Sequence, residues 1–276
     1  METLIFKPWK HMSDVVNLFW SSGWDSTFRL LELVLMKNQA VQTYYVIDTA
    51  RRSFPLEIKA MAEIKTAILH RKPEAAQLIL PTQFTLLDDV PTNEQITGQY
   101  RRLLKNRHLV GQYEWLSLLA DWANLDDLEL CVRIREDNFV STFLGQNVTG
   151  ESNGGFDYYR LKQDVANPDI SLFKYFRFPI YHVSKLEMQN ISKAQGFFDI
   201  MMRTWFCHSP LKNDLPCGNC LPCDDAIKDG LANRLPLSSL VRWTLCTDQG
   251  QRCGDGDVYY WLREPSHEIP MQLALG

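Results

Sequence analysis

The sequence predicts an α/β fold, a doubly wound parallel sheet followed by a small cysteine-rich knuckle. Three observations carry the prediction. Apolar, strand-like runs alternate with helical periods through the first half of the chain; a small, hydroxyl-rich turn joins the first run to the first helix; and three cysteines crowd into Cys217-Gly218-Asn219-Cys220-Leu221-Pro222-Cys223. Alternating strands and helices pack as a parallel sheet whose ligands bind at the carboxyl ends of the strands.

Val15 to Trp20 reads as a buried first strand, and Phe28, Leu30, Leu31, Val34 and Leu35 recur at helical spacing behind it. Val41 to Asp48 is a second strand, rich in Val, Ile and Tyr. Leu56 to His70 then places Ile58, Met61, Ile64, Ala67, Ile68 and Leu69 on a helical period. Gln77 to Leu80 is a third short strand ended by Pro81, Tyr113 to Ala123 a helix, and Leu128 to Ile134 a fourth strand. Residues 82–107 and 138–176 show no clear period and are candidate substrate loops or lids.

The 276 residues suffice for one substantial core with a small appendage, and no apolar run approaches the roughly 20 residues that span a membrane. The N-terminal residues lack a basic segment followed by an apolar stretch, so a cytoplasmic protein without a membrane partner is expected. A formal charge of −4 argues against direct nucleic-acid binding. The basic run from Arg101 to Arg107 reads as a solvated helix face. Seven cysteines, an odd number, point to thiolates that bind metal in a reducing compartment.

In the turn Ser21-Ser22-Gly23-Trp24-Asp25-Ser26-Thr27, small residues permit close approach. The free N–H groups of the following helix and the hydroxyls of Ser21, Ser22, Ser26 and Thr27 are expected to converge where the helix dipole favours an anion. No lysine follows Gly23, so this is not the common Gly-Lys-Ser/Thr phosphate loop. An ordinary Ser-Gly turn with Asp25 capping a core helix is the alternative.

Cys207, Cys217, Cys220 and Cys223 are expected to form a complete tetrahedral set for Zn²⁺, with free buried thiols as the alternative. With all four positions filled by protein, no place remains for a reacting water, and the metal's role is expected to be structural. Cys131 reads as inert core, while Cys246 and Cys253 flank a polar turn.

The turn resembles the PP-loop family of ATP pyrophosphatases, whose motif is Ser-Gly-Gly-x-Asp-Ser; Ser22 stands where that motif has its first glycine. Together with Thr204-Trp205-Phe206-Cys207 and the Cys-x-x-Cys-x-x-Cys run, it is similar to the 7-cyano-7-deazaguanine synthases. Asp48-Thr49-Ala50-Arg51-Arg52 occupies the place of that family's Asp-Tyr-Gly-Gln-Arg. Pro179 to Met188 looks like its Pro-Leu-x-x-x-Ser-Lys-x-Glu-Ile, although Ser184 to Glu187 is also a plain capping box. Gly111 to Leu118 resembles a family helix start more loosely. Arg133 to Phe139 stands where the family has Gly-x-Asn, and the family's Tyr-Pro-Asp-Cys-Arg stretch is missing.

The resemblance implies an adenine-nucleotide α-hydrolase-like domain over residues 1–200, a zinc-binding segment over 201–231 and a C-terminal extension over 232–276. It also implies ATP and Mg²⁺ as cofactors. A carboxylate on a 7-deazaguanine-type acid would be adenylated, and ammonia would displace AMP to give an amide and then a nitrile. Ser21 to Thr27 and Asp48 would bind nucleotide, with Asp25, Lys185 and Arg52 in the catalytic roles. A surface residue of an Arg-Arg pair is the equal alternative for Arg52. Conjugation of the acyl group to a protein amine in antiviral defence and a non-catalytic nucleotide-binding subunit stand beside this reading, as does a homodimer. Arg133, Glu136 or Asp137 is expected to approach the acid.

Overall fold

The computed structural model describes residues 15–106, 109, 111–133, 140, 144–153 and 155–247. Ile134, Glu136, Asp137, Cys253 and the extension beyond residue 247 lie outside them, as do the N-terminal residues read above. The chain forms two compact units, Met1–Trp205 and Phe206–Gly276.

The first unit is α/β, with a seven-stranded, mostly parallel sheet flanked by helices. β1 (Val16–Phe19) leads through α1 (Trp24–Leu31) to β2 (Val41–Ile47). α2 (Phe54–Arg71) and the short α3 (Pro73–Ala76) lead to β3 (Gln83–Leu86). After α4 (Glu94–Asn106) and α5 (Gln112–Trp122) come β4 (Leu128–Glu129), the hairpin β5 (Val148–Asn153) and β6 (Phe156–Leu161), and β7 (Phe176–Phe178). α6 (Lys185–Ala194) and α7 (Phe198–Met201) follow. The strand order is β3-β2-β1-β4-β7-β6-β5. The first five strands in that order are parallel; β6 runs antiparallel to both β7 and β5.

From β1 the chain builds outward through β2 to β3, then returns to lay β4 on the other side of β1, where Leu18 registers with Glu129. The sheet therefore reverses its winding between β1 and β4, the place where open α/β sheets leave a crevice at the strands' carboxyl ends. β1 is paired on both edges, and Leu18 and Trp20 are fully buried, which is why its sequence is a continuous apolar run. α2 buries Glu57, Ala60, Met61, Ile64 and Ile68 on one stripe. α1 continues into a π-helical turn, Glu32–Met36, closed by Lys37 N–H donating to the Glu32 carbonyl at 3.0 Å.

Several expectations need correction. Gln77–Leu80 makes only an isolated bridge, Val41 to Ile79; the third strand is Gln83–Leu86, in register with Tyr44–Ile47. Within residues 82–107, Glu94–Asn106 is a helix and not a loop, with Ile96, Tyr100 and Leu103 on its buried stripe. Arg101, Arg102 and Lys105 are exposed on that helix. Within residues 138–176, β5 and β6 form a regular hairpin, with Val148 opposite Leu161 and Asn153 opposite Phe156. β4 is two residues long, although Leu130 N–H still bonds to the Arg177 carbonyl at 2.8 Å.

The second unit contains α8 (Leu221–Lys228), a 3₁₀ turn (Ala232–Arg234) and α9 (Leu237–Thr247). No helix of the described residues is long and apolar enough to cross a membrane.

Candidate functional site

Trp20 extends β1 by donating its N–H to the Tyr44 carbonyl at 2.9 Å, and the chain reverses within Ser21–Gly23 before α1 begins. So short a turn needs a left-handed residue, and Ser22 supplies it with φ 56°. That conformation costs an L-residue about 1–2 kcal/mol, whereas glycine adopts it freely. Ser22 is fully buried, and its hydroxyl has no hydrogen-bond partner among the described residues. The turn is braced by Trp205, whose N–H donates to the Ser22 carbonyl at 3.1 Å.

Gly23 is the N-cap of α1, and no side chain caps the helix there. The N–H groups of the first turn lie at the positive end of the helix dipole, where an anion is favoured. The Ser21 and Ser26 hydroxyls lie 3.5 Å apart beside this end. A Cβ on Gly23 would stand 3.3 Å from the Ser21 Oγ, so the glycine keeps the turn tight.

The four hydroxyls do not all converge. Thr27 is fully buried and its Oγ1 accepts from the Trp20 indole Nε1 at 3.0 Å, a bond that ties α1 to the end of β1. Trp24 is buried as well, edge-on to Phe198 at 6.3 Å.

Asp25 bridges the reversal point. Its Oδ1 lies 3.0 Å from Nε of Arg133, which follows β4; the Arg133 side chain is 10% exposed and that of Asp25 29%. One helical turn further on, Arg29 donates from Nε and Nη2 to the two oxygens of Glu129 at 2.8 and 2.7 Å, and from Nη1 to Glu32 at 2.7 Å. Burial opposes the Arg29 charge, yet the Glu129 and Glu32 carboxylates outweigh it and hold the guanidinium above its ordinary pKa. Cys131 sits between these pairs on the chain, its thiol pushed well up by burial. Sequence reading missed the Arg29–Glu129 pair; the available signal was a charge inside each of two apolar runs, Phe28 to Leu31 and Leu128 to Leu130.

At the carboxyl end of β2, Asp48 accepts from the Ala50 N–H at 3.0 Å. Arg51 enters the local network: its Nη2 donates to Glu57 Oε1 at 2.8 Å, and buried Glu57 also accepts from the Ser53 and Tyr45 hydroxyls, each at 2.7 Å. Arg52 is exposed. Lys185 opens α6, which packs against α1. The capping box ahead of it is formed in both directions, with Glu187 N–H donating to the Ser184 Oγ at 3.1 Å and Ser184 N–H to the Glu187 carboxylate at 2.7 Å.

In the second unit, the sulfurs of Cys207, Cys217, Cys220 and Cys223 all lie within 4.8 Å of one another. Separations of 3.9 Å (Cys217 to Cys223), 3.8 Å (Cys207 to Cys220) and 3.5 Å (Cys220 to Cys223) approximate the edge of about 3.8 Å that a tetrahedron with Zn–S bonds near 2.3 Å requires. Backbone N–H groups aim at the sulfurs: Cys217 N at Cys207 Sγ (3.1 Å), and Asn219 and Cys220 N at Cys217 Sγ (3.3 and 3.2 Å). Hydrogen bonding among the four sulfurs draws the Cys217 and Cys220 thiols below their ordinary pKa and pushes those of Cys207 and Cys223 above it, so the cluster titrates as a unit. Gly218 makes this possible, with φ 78° and no room for a Cβ against the Ser239 carbonyl. The group can hold a metal ion such as zinc.

The chain matches no protein-family model and no curated protein.

Proposed function

We propose that this protein is an ATP-dependent carbon–nitrogen ligase of the 7-cyano-7-deazaguanine synthase type, acting on a 7-deazaguanine-type carboxylic acid. The observation that carries the reading is the uncapped, hydroxyl-lined start of α1 at the β1/β4 reversal, with Asp25 and Arg133 beside it. First-turn N–H groups and the Ser21 and Ser26 hydroxyls suit the β- and γ-phosphates of ATP. Asp25 is a hard oxygen donor of the kind Mg²⁺ takes together with phosphates. Bound there, Mg²⁺ would neutralise charge on the departing pyrophosphate. Lys185 and Arg52 would meet the same charge.

A substrate carboxylate oxygen attacks the α-phosphorus, the bond to the bridging oxygen of the β-phosphate breaks, and pyrophosphate leaves. The nitrogen of ammonia then attacks the acyl carbon, loses a proton and expels AMP to leave an amide. A second ATP would adenylate the amide oxygen with release of pyrophosphate and one N–H proton, and loss of the remaining N–H proton would expel AMP to give the nitrile. A protein amine in place of ammonia would give a conjugate by the same steps. The four-cysteine group, holding zinc, has no open position and serves folding.

Ser22 favours a second reading, a nucleotide-binding subunit without turnover, because its Cβ stands where the PP-loop motif has glycine. Incubation with ATP, Mg²⁺ and 7-carboxy-7-deazaguanine, followed by chromatography of the nucleotides, separates the two. AMP and pyrophosphate support the ligase, bound but unchanged ATP supports the subunit, and ADP overturns the assignment of the turn.

A further inference from the structure

The Ser21–Gly23 turn does not hold its shape unaided. Ser22 stands at φ 56°, a region that glycine enters freely and an L-residue only under constraint, and its buried hydroxyl has no hydrogen-bond partner among the described residues. A strained backbone of this kind persists only where its surroundings over-determine it. Here the constraint comes from the last residue of the first unit. Trp205 donates its N–H to the Ser22 carbonyl at 3.1 Å, and its own carbonyl oxygen lies 3.9 Å from the place a Cβ on Gly23 would take. Just before it, Thr204 is tied back to the end of α7, its N–H and its hydroxyl both donating to the Met201 carbonyl, at 3.2 and 2.8 Å. Just after it, Phe206 leads to Cys207, whose sulfur belongs to the four-cysteine group and accepts from the Cys217 N–H at 3.1 Å. The brace on Ser22 is therefore anchored on one side by a helix end and on the other by a metal ligand.

We propose that the Trp205 main chain is the positioning group for the phosphate-binding turn, and that metal on Cys207, Cys217, Cys220 and Cys223 fixes it there, so that metal occupancy sets the turn's affinity for phosphate. The inference rests on the phosphate reading of the turn and gives the four-cysteine group a second task besides folding. An ion held by four thiolates immobilises Cys207 through its sulfur. Without it the segment from Trp205 to Cys207 loses that anchor, and the strain in Ser22 is free to draw its carbonyl away from the Trp205 N–H. Relaxation of Ser22 rotates its flanking peptides and takes the Ser21 hydroxyl from its place 3.5 Å from that of Ser26. The turn then no longer presents its donors to one point. Glycine would carry no such strain, so the dependence on metal belongs to the serine.

The test is calorimetric titration of the full chain with inorganic pyrophosphate in reducing buffer, zinc-loaded and again after a chelator has removed the metal and been dialysed away. Amide hydrogen exchange is followed in parallel. Metal removal should weaken pyrophosphate about 5- to 30-fold, the left-handed strain of Ser22 expressed as an equilibrium ratio, and should open the Trp205 amide to exchange while the β1 and β2 amides stay protected. Ser22→Gly should bind pyrophosphate equally in both metal states, a rescue that a merely structural role for the metal would not give. If metal loss opens the sheet as well, two zinc-loaded variants carry the comparison: Trp205→Pro, which lacks the N–H, should bind pyrophosphate about 5- to 30-fold more weakly than Trp205→Ala, which keeps it. Equal affinity in the two metal states of a wild type whose sheet stays closed, or in the two Trp205 variants, overturns the inference and leaves the phosphate reading standing. Metal dependence that persists unchanged in Ser22→Gly overturns it too. A zinc-loaded wild type that binds no pyrophosphate overturns this inference and the phosphate reading together.

Discussion

Replacing Ser22 by glycine removes two unfavourable features of the turn together. Ser22 holds φ at 56°, a conformation worth about 1–2 kcal/mol against an L-residue, and its buried hydroxyl lacks a partner among the described residues, a deficit of about 1–3 kcal/mol. Against this, glycine loses more chain entropy on folding, about 0.5–1 kcal/mol. Ser22→Gly is therefore expected to stabilise the ligand-free protein by about 1–4.5 kcal/mol, raising Tm by roughly 2–18 °C for a chain of this size. Differential scanning calorimetry of the purified protein reads the shift. If the turn receives phosphate, the ligand gives the Ser22 hydroxyl a partner in the wild type, and the difference narrows when both proteins are saturated with pyrophosphate. A lower Tm for Ser22→Gly would refute the strain argument. An unchanged difference with bound pyrophosphate would separate the buried hydroxyl from the ligand.

Asp25→Asn should leave the fold intact and cut release of AMP and pyrophosphate roughly a thousandfold, read by a pyrophosphate-coupled assay; equal rates would remove Asp25 from the chemistry. Plasma mass spectrometry should find one zinc per chain, and Cys217→Ser should give insoluble or thermally weakened protein, whereas a zinc-free protein of unchanged melting would reject a structural role. Glu129→Leu strands buried Arg29 and should cost about 3–5 kcal/mol in urea unfolding, much of it recovered in Arg29→Met/Glu129→Leu; additive losses would refute the pairing. The Glu187 carboxyl is held below its ordinary pKa by the Ser184 N–H and hydroxyl. Its stabilising effect is thus complete above the unfolded value near 4.3 and lost as pH falls through the lower folded value, so the Tm gap between wild type and Glu187→Gln should close in acid. Mass spectrometry of the acid after incubation with ATP, ammonia and Mg²⁺ should find more amide than nitrile; efficient nitrile formation would indicate the ordinary biosynthetic reaction.

What could be read from the sequence follows from how each element is buried. β1 and β2 lie inside the sheet and α2 carries a wide apolar stripe, so their patterns are strong. β3 is an edge strand with Phe84 and Leu86 about half exposed, and it shows no inward alternation to set it apart from the more apolar Gln77–Leu80. α4 buries Ile96, Tyr100 and Leu103 amid charged residues, too thin a stripe to stand out. The hairpin strand β5, Val148–Asn153, lies at the opposite edge and is mostly polar, so nothing in its sequence alternates.

The site divides along the same line. The turn was legible because the close reversal of a strand into a helix demands small residues in consecutive positions, and the cysteine group because its ligands are local in sequence. Arg29–Glu129 and Asp25–Arg133 are pairings across about a hundred residues, and no local pattern encodes them. They nonetheless have different physical consequences. The inner pair is desolvated at both ends, so opening it would leave two buried charges, and it behaves as a permanent fastener. The outer pair is less completely withdrawn, with the Asp25 side chain 29% exposed, so opening it carries a smaller desolvation imbalance. A helix pinned to the sheet at its second turn keeps its first turn, and the Ser21–Gly23 reversal ahead of it, in a fixed place, which any site built on that turn requires.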